Sequence, residues 1–283
     1  MSPLKKYSLS EIGQCLKDGK YPISGITELG STEFHFKEPS GFLGVALHNG
    51  SRIRPELSAA MDVKREDRFR EEDPYTDYFL HEFPIQVIAR DSRFEYDLNW
   101  EIEQCIYSAS EKKWGLQVWN RMLTPVEKEL TYSKYREFHA LLDLIVGYIL
   151  EFHSTVVVFD IHSFCYQREA RLNWWEDDKP EINLGTKYIN RTHFSTLIDL
   201  FLKRVSEMEM NGHSLRVDEN VLFPGGYLTR KYANSHNRQV LVLAVEYKKI
   251  FMDEWTGELF PQELGMLIEN LLLTKENIVR TKV

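Results

Sequence analysis

The amino-acid sequence predicts an α/β fold in which helices cover a mostly parallel or mixed β-sheet. Four apolar runs, FLGVAL, FPIQVIA, TVVVFDI and QVLVLAV, have the composition of strands that are buried on both faces. Three segments have the 3.6-residue period of helices, namely SKYREFHALLDLIVGYILEF, HFSTLIDLFLKRVSEME and QELGMLIENLLL. Because the first two of these helices separate strand-like runs, the pattern favours a sheet packed against helices.

The remaining segments are assigned in chain order. Residues 1–40 mix turn-forming residues with short apolar pieces, so we expect an arm or edge segment packed on the core, with TEFHFKEP as a short edge strand or arm. Residues 41–283 are expected to form a single domain, since 283 residues can bury one full core. Two long polar segments, SAAMDVKREDRFREEDPYTD and RLNWWEDDKPEINLGT, are expected to be loops, and the tail TKENIVRTKV is expected to fray.

Composition and charge exclude several classes of partner. The formal net charge is −8, and no block of lysines and arginines occurs, so neither a nucleic acid nor an anionic membrane is expected to bind. The sequence shows neither an apolar signal region nor a run long enough to cross a bilayer. The three cysteines are scattered and odd in number, which is typical of reduced thiols. We therefore expect a soluble, cytoplasmic protein.

Three residues with metal-binding or acid–base chemistry come where apolar runs end. His48 follows FLGVAL, His162 follows VVVFDI, and Glu246 follows VLVLAV. Residues just beyond the carboxyl ends of buried strands line the ligand crevice of open α/β sheets, so the three are expected to face one another. A single histidine at a strand end is commonly a structural residue, but two of them with a carboxylate favour a metal site. A buried glutamate also requires a cation, a donor or a reaction, because burying its charge alone costs several kcal/mol.

A catalytic zinc site uses three protein ligands and leaves one position for water. The two histidines supply two ligands, and the segment EEDPYTD offers the third. We expect Asp73 in this position, with Asp77 and Glu72 as competitors.

The ordered motifs of the chain resemble those of the N-formylglutamate amidohydrolase family. They are HNGS, EEDPYTDYF, SRFEYDLNW, YREFH, FDIHSF, INLGT, FPGGYLTRKY and VEYKKIFMDE, spread over roughly residues 41 to 256. Because that family is similar to zinc carboxypeptidases and aspartoacylases, the resemblance implies a three-layer α/β/α fold of the zinc-exopeptidase type for residues 41–283. It also implies a hydrolase that cleaves the amide bond of an N-acylated amino acid such as N-formylglutamate.

The resemblance also implies roles for individual residues. His48, Asp73 and His162 would bind Zn²⁺ or another divalent metal, and Glu246 would be the general base. Either Arg93 or Arg230 would stabilise the oxyanion, although each has a surface ion pair as its alternative. By its spacing two residues before His162 on a strand, Asp160 would orient that ligand or satisfy a neighbouring backbone group. The resemblance makes His139 an active-site neighbour, with a residue on the helix surface as the alternative. Gly225, Gly226 and Thr229 would contact the substrate.

The sequence departs from the family at two positions of the predicted substrate site. Where the family has DLNR, this chain has Asp97-Leu98-Asn99-Trp100, so the arginine that suits a substrate carboxylate is replaced by an indole. If Trp100 faces the pocket, a different amide becomes the substrate; if it packs in the core, Arg93 or Arg230 takes over. Asn49 replaces a small residue and either donates to substrate or shapes the turn.

Three functions follow from these patterns. The first is hydrolysis of a small N-acylated amino acid, and the second is a carboxypeptidase or amidase activity on a different peptide-like substrate or short peptide. The third is a catalytically inactive binding protein on the same fold. The sequence predicts no oligomeric state.

Overall fold

The computed structural model describes residues 3–109, 112–167 and 172–281. They form an α/β structure with a large mixed sheet and flanking helices, which confirms the predicted fold class. The chain divides into two compact units, Met1–Val157 and Val158–Val283. The division into residues 1–40 and 41–283 stays a prediction.

The sheet strands of the first unit have the order β1-β2-β3-β5-β4. Neighbours β1/β2 and β4/β5 are parallel, whereas β2/β3 and β3/β5 are antiparallel. The strands are β1 (Lys6–Tyr7), β2 (Ile23–Thr27), β3 (Thr32–Phe36), β4 (Phe42–Ala46) and β5 (Ile85–Ala89).

The segment TEFHFKEP was expected at an edge or in an arm, but its strand β3 lies between β2 and β5. Its alternation explains the difference. Thr32, Phe34 and Phe36 are buried while Glu33 and His35 are half-buried, and the two polar side chains on alternate positions gave the run the appearance of an exposed edge.

The first unit also contains four helices and a small hairpin. A capping box of Thr124 and Glu127 begins the longest helix, with Pro125 in its first turn. The elements are α1 (Leu9–Lys17), α2 (Pro55–Ser58), α3 (Arg65–Glu71), a 3₁₀ turn (Thr76–Leu80), the antiparallel hairpin β6 (Lys112–Lys113) and β7 (Leu116–Gln117), and α4 (Pro125–Leu150). The predicted loop SAAMDVKREDRFREEDPYTD thus contains a helix. Its acidic first turn and basic last turn complement the helix dipole, although its polar composition conceals the helix.

The sheet strands of the second unit have the order β8-β13-β9-β12, where β8 begins at the end of the first unit. Strand β9 is parallel to β12 and antiparallel to β13. The elements are β8 (Val156–Phe164), a 3₁₀ turn (Trp174–Glu176), β9 (Ile182–Gly185), α5 (Ser195–Ser206), the hairpin β10 (Glu209–Met210) and β11 (His213–Ser214), β12 (Val217–Glu219), α6 (Tyr227–Ser235), β13 (Val240–Lys248) and α7 (Pro261–Thr281).

Two predictions for this unit were wrong in part. The end of RLNWWEDDKPEINLGT forms β9, whose four residues are buried; residue 171 of this segment lies outside the described residues. The tail was expected to fray, but α7 continues to Thr281 because Thr274 and Ile278 remain buried; residues 282 and 283 of the tail lie outside the described residues. No helix in the described part of the chain has the length and apolar character needed to cross a membrane.

Candidate metal centre

The imidazole of His48 is buried two residues after β4 ends. Its Nε2 lies 2.7 Å from Oδ1 of Asp97, and its Nδ1 lies 3.4 Å from Oδ2 of Asp73. The Asp97 carboxylate accepts the Nε2–H, which leaves Nδ1 of the ring on the side of Asp73. A carboxylate that holds the second nitrogen in this way is typical of histidines that bind metals.

Local hydrogen bonds place Asp73 beside His48. The backbone N–H of Asp73 donates to the carbonyl of His48 at 3.0 Å, and the Thr76 hydroxyl donates to the carbonyl of Asp73 at 2.7 Å. Between them, Tyr75 adopts the left-handed conformation with φ of 68°. The turn between α3 and the first 3₁₀ segment therefore presents the Asp73 carboxylate to the imidazole.

The two competitors for the third ligand position have cationic partners. The Asp77 carboxylate lies 3.0 Å from Nη1 of Arg90. The Glu72 carboxylate lies 3.1 Å from Nη1 of Arg68 and accepts the hydroxyl of Ser92.

His162 lies inside β8 and not after its end, as the sequence had suggested, because the strand continues through Ser163 to Phe164. Asp160 precedes it by two residues and is fully buried. Alternate residues of a strand share a face, and the Asp160 Oδ2 lies 3.1 Å from the His162 Nε2. Asp160 therefore contacts His162, and its role in orienting a ligand stays a prediction.

His48, Asp73 and His162 are all buried, and each offers a potential ligand atom within 4.8 Å of the others. Two imidazoles and one carboxylate are a donor set of catalytic zinc sites, which require neutral imidazole and ionised carboxylate. The residues present therefore fit a divalent metal ion.

Asp97 is the residue whose role the sequence interpretation missed. Its buried carboxylate accepts hydrogen bonds from His48, from Nη2 of Arg93 at 2.7 Å, from the backbone N–H of Asn99 at 2.9 Å and from the Tyr107 hydroxyl. Burial raises the pKa of Asp97, but Arg93, His48 and the hydrogen bonds outweigh burial and hold the pKa well below its ordinary value. Asp97 is thus an ionised anchor for His48. The signal in the sequence was the DLN motif itself, which had been assigned to substrate binding.

Arg93 forms an ion pair with the Asp97 carboxylate. Its guanidinium also lies 4.7 Å from the Trp114 ring centroid, and its Nε donates to the Tyr107 hydroxyl at 3.4 Å. Burial lowers the pKa of Arg93, but Asp97, Tyr107 and Asp73 more than offset that effect, so the pKa is raised well above its ordinary value. Arg93 therefore balances the Asp97 charge, and its contact with a reacting oxygen stays a prediction.

The other predicted catalytic residues lie within regular elements. Glu246 is half-buried inside β13, opposite Asn183 of β9, and the strand continues beyond it to Lys248. Arg230 lies in α6 with its guanidinium 5.5 Å from the Tyr188 ring centroid. His139 is buried in α4, so its alternative as a helix-surface residue was wrong.

Asn49 and the glycine motif shape turns. The Asn49 Oδ1 accepts the backbone N–H of Asp77 at 3.2 Å, as expected if this side chain shapes the turn after β4. Gly225 has φ of 104°, and a Cβ there would come within 2.6 Å of the Thr229 hydroxyl oxygen. That hydroxyl donates to the carbonyl of Gly226, which precedes α6. The motif therefore requires glycine at position 225 for both conformation and space.

Trp100 does not pack in the core, because its side chain is 38 % exposed. Its backbone N–H donates to the carbonyl of Asp97 at 3.3 Å, and its own carbonyl accepts the Tyr135 hydroxyl at 2.7 Å. The Lys113 ammonium lies 4.5 Å from the indole centroid. The indole is thus presented at the surface of the first unit next to a cation.

Solved structures show the same fold at low sequence identity. An N-formylglutamate amidohydrolase from Ralstonia eutropha JMP134 matches with a TM-score of 0.71 and 18 % identity, over 89 % of this chain and 99 % of that chain. A gene product from Agrobacterium tumefaciens matches with a TM-score of 0.64 and 20 % identity, over 88 % and 96 % of the two chains. A carboxypeptidase A from Helicoverpa armigera gives a TM-score of only 0.44 at 11 % identity, over 97 % and 73 %, which supports no inference.

The sequence comparisons settle the family. Curated protein sequences give no significant match to this chain. The family model described as N-formylglutamate amidohydrolase matches residues 40–251, well over half of the 283 residues. This chain therefore belongs to the N-formylglutamate amidohydrolase family.

Proposed function

We propose that this protein is a metal-dependent amidohydrolase that removes the acyl group, first of all formyl, from an N-acylated amino acid such as N-formylglutamate. Membership of the family supports hydrolysis of this class of amide. The observation that carries the metal-dependent mechanism is the buried group of His48, Asp73 and His162.

These three residues would hold Zn²⁺ or another divalent ion that accepts nitrogen and oxygen ligands. When bound, such an ion polarises the scissile carbonyl and lowers the pKa of a water toward neutrality. Asp97 and Asp160 would fix the orientation of the two imidazoles, since each carboxylate contacts one of them.

Glu246 would accept a proton as water attacks the formyl carbon. A new C–O bond then forms, the C–N bond breaks, and Glu246 returns the proton to the departing amine, which yields formate and the free amino acid. One carboxylate can serve both transfers, because it holds the proton between the attack of water and the departure of the amine. Arg93 or Arg230 would stabilise the negative charge that develops on the carbonyl oxygen.

A carboxypeptidase or amidase activity on another peptide-like substrate is the second candidate. The exposed indole of Trp100 supports it, because an indole carries no charge with which to grip a carboxylate. An inactive binding protein is disfavoured by the retention of His48, Asp73, His162 and Glu246.

Metal content tests the proposed site directly. Purified protein should contain about one equivalent of zinc or another divalent metal, and a chelator should remove both the metal and the activity. His48→Ala should lose the metal, whereas His35→Ala, which removes a half-buried histidine paired with Glu33, should retain it. Protein that is metal-free and just as stable after chelation would refute the metal-dependent mechanism.

Formate release tests the chemistry. Wild-type protein should hydrolyse N-formyl-L-glutamate, and Glu246→Gln should lower kcat by at least about 100-fold while leaving the metal content unchanged. Glu219→Gln, which alters a half-buried glutamate on β12, provides the matched control and should leave kcat unchanged. Near wild-type turnover by Glu246→Gln would remove Glu246 from its role as base.

A further inference from the structure

A cavity of about 370 Å³ in the first unit adjoins the residues that hold His48. Tyr107 forms part of its wall, and the hydroxyl of the same tyrosine donates to the Asp97 carboxylate. Trp100 forms another part, and its backbone N–H bonds to the Asp97 carbonyl. Two residues of the cavity wall are therefore hydrogen-bonded to Asp97, whose carboxylate in turn accepts from His48.

A hairpin turn brings Lys113 to this cavity. Trp114 and Gly115, which connect β6 and β7, have φ of 50° and 81°, as a two-residue turn with positive φ at both positions requires. The Lys113 ammonium lies 4.5, 5.2 and 5.5 Å from the ring centroids of Trp100, Tyr107 and Trp114, respectively. Within residues 3–109, 112–167 and 172–281, no carboxylate forms an ion pair with it.

The charges around the cavity favour an anionic ligand. Of the described residues that line it, Lys112 and Lys113 are cationic and Glu103 alone carries a carboxylate. Arg93, the nearby guanidinium, is engaged with Asp97. Aromatic faces stabilise an ammonium without using its hydrogen-bond donors, so Lys113 keeps three donors for a carboxylate.

We propose that Lys113 and Trp100 form a subsite that binds a carboxylate of the substrate. This inference rests on the proposed function, because it assigns the carboxylate to an N-acylated acidic amino acid. The Lys113 ammonium pairs with the carboxylate, and the exposed indole covers the adjacent methylene groups. The positive charge that the sequence lacks at position 100 is thus supplied by the hairpin, and recognition of an acidic substrate survives the loss of arginine.

Direct binding of glutarate tests the subsite without any turnover. Calorimetry should show saturable binding to the metal-loaded wild-type protein, at least about tenfold weaker binding to Lys113→Met, and near wild-type binding to Lys113→Arg. Lys5→Met is the matched control, because Lys5 likewise lies over a ring, 4.4 Å from the Tyr7 centroid, but does not line the cavity. Glutaramide, which has amides in place of both carboxylates, should bind all four proteins equally weakly.

Turnover separates this proposal from the proposed hydrolysis. With N-formyl-L-glutamate, Lys113→Met should raise KM at least about tenfold and change kcat less than about twofold, the signature of lost binding without lost chemistry. If the wild-type protein binds glutarate through Lys113 but releases no formate, the subsite stands and the hydrolysis falls. Equal glutarate affinity of wild type and Lys113→Met, equal losses in Lys113→Met and Lys113→Arg, or no saturable binding to wild type would each overturn the subsite.

Discussion

The substitution Asp97→Asn tests the carboxylate that accepts a hydrogen bond from His48 in the candidate metal centre. It preserves the size of the side chain but removes its charge and turns one acceptor oxygen into a donor NH₂. The native carboxylate accepts from His48, Arg93, Asn99 and Tyr107, so the amide group must face at least one of these donors. The variant therefore loses an ion pair and gains an unfavourable donor–donor contact.

The contacts of Asp97 set the expected magnitude. Removing one partner of a buried ion pair leaves the other charge uncompensated, which costs about 3 to 5 kcal/mol of unfolding free energy. Arg93 is the charge left behind, and its side chain is mostly buried. The loss of a carboxylate that orients a metal-bound histidine lowers metal affinity by about 10- to 100-fold. Asp97→Asn should show both effects.

A second buried carboxylate provides the control. Glu95 is fully buried and lies 2.6 Å from Arg54, but it has no contact with His48. Glu95→Gln should thus cost comparable unfolding free energy while leaving metal affinity unchanged. The assays are urea unfolding of the metal-free proteins and calorimetric titration with zinc. If Asp97→Asn binds zinc as tightly as Glu95→Gln does, Asp97 does not orient a metal ligand.

Four further substitutions test the third ligand and two positions in the second unit. Asp73→Asn should lose the bound metal while Asp77→Asn retains it, as measured by elemental analysis; the reverse result would exchange their roles. Gly225→Ala should lower the free energy of unfolding, measured in urea, by about 1 to 3 kcal/mol, because alanine is strained at φ of 104° and its Cβ crowds Thr229. An unchanged free energy of unfolding would contradict this. Burial raises the pKa of Glu181, but its cationic partners outweigh burial and lower it, so its stabilisation is complete above about pH 4.3 and declines as pH falls. Glu181→Gln should therefore lower the free energy of unfolding at pH 7, and the variant should lose less stability than wild type between pH 5 and 3. If the stabilities of the two proteins fall in parallel over this range, Glu181 does not contribute in this way.

The strands of the core could be predicted because each is a continuous apolar run. FLGVAL, FPIQVIA, TVVVFDI and QVLVLAV correspond to β4, β5, β8 and β13, which are buried almost throughout. Short polar elements could not be predicted in this way. Helix α3 depends on charges that suit its dipole and on contacts of Arg68 with Glu72, and neither produces an apolar period.

The sequence singled out the histidines of the candidate metal site because each ends or interrupts an apolar run, where burying a polar side chain without a partner is costly. Their role as ligands stays a prediction. Asp97 was not singled out in this way, because it follows no strand and the partner that links it to the site, His48, lies 49 residues away. Apart from the DLN motif, a polar residue that acts through one long-range hydrogen bond leaves no local pattern.

Recognition of the substrate depends most on tertiary structure, and here the sequence is least informative. At position 100 the sequence shows the loss of a charge, and a motif comparison alone counts this as loss of carboxylate binding. The structure changes that interpretation, because the turn at Trp114 and Gly115 places Lys113 over the exposed indole. In the proposed subsite, the positive charge comes from Lys113 instead of position 100. The proposed subsite predicts that Trp100→Arg restores glutarate binding to the Lys113→Met variant, since either position can then supply the cation. In the wild-type background, the same substitution should displace the Lys113 ammonium from position 100, because two cations then lie close together.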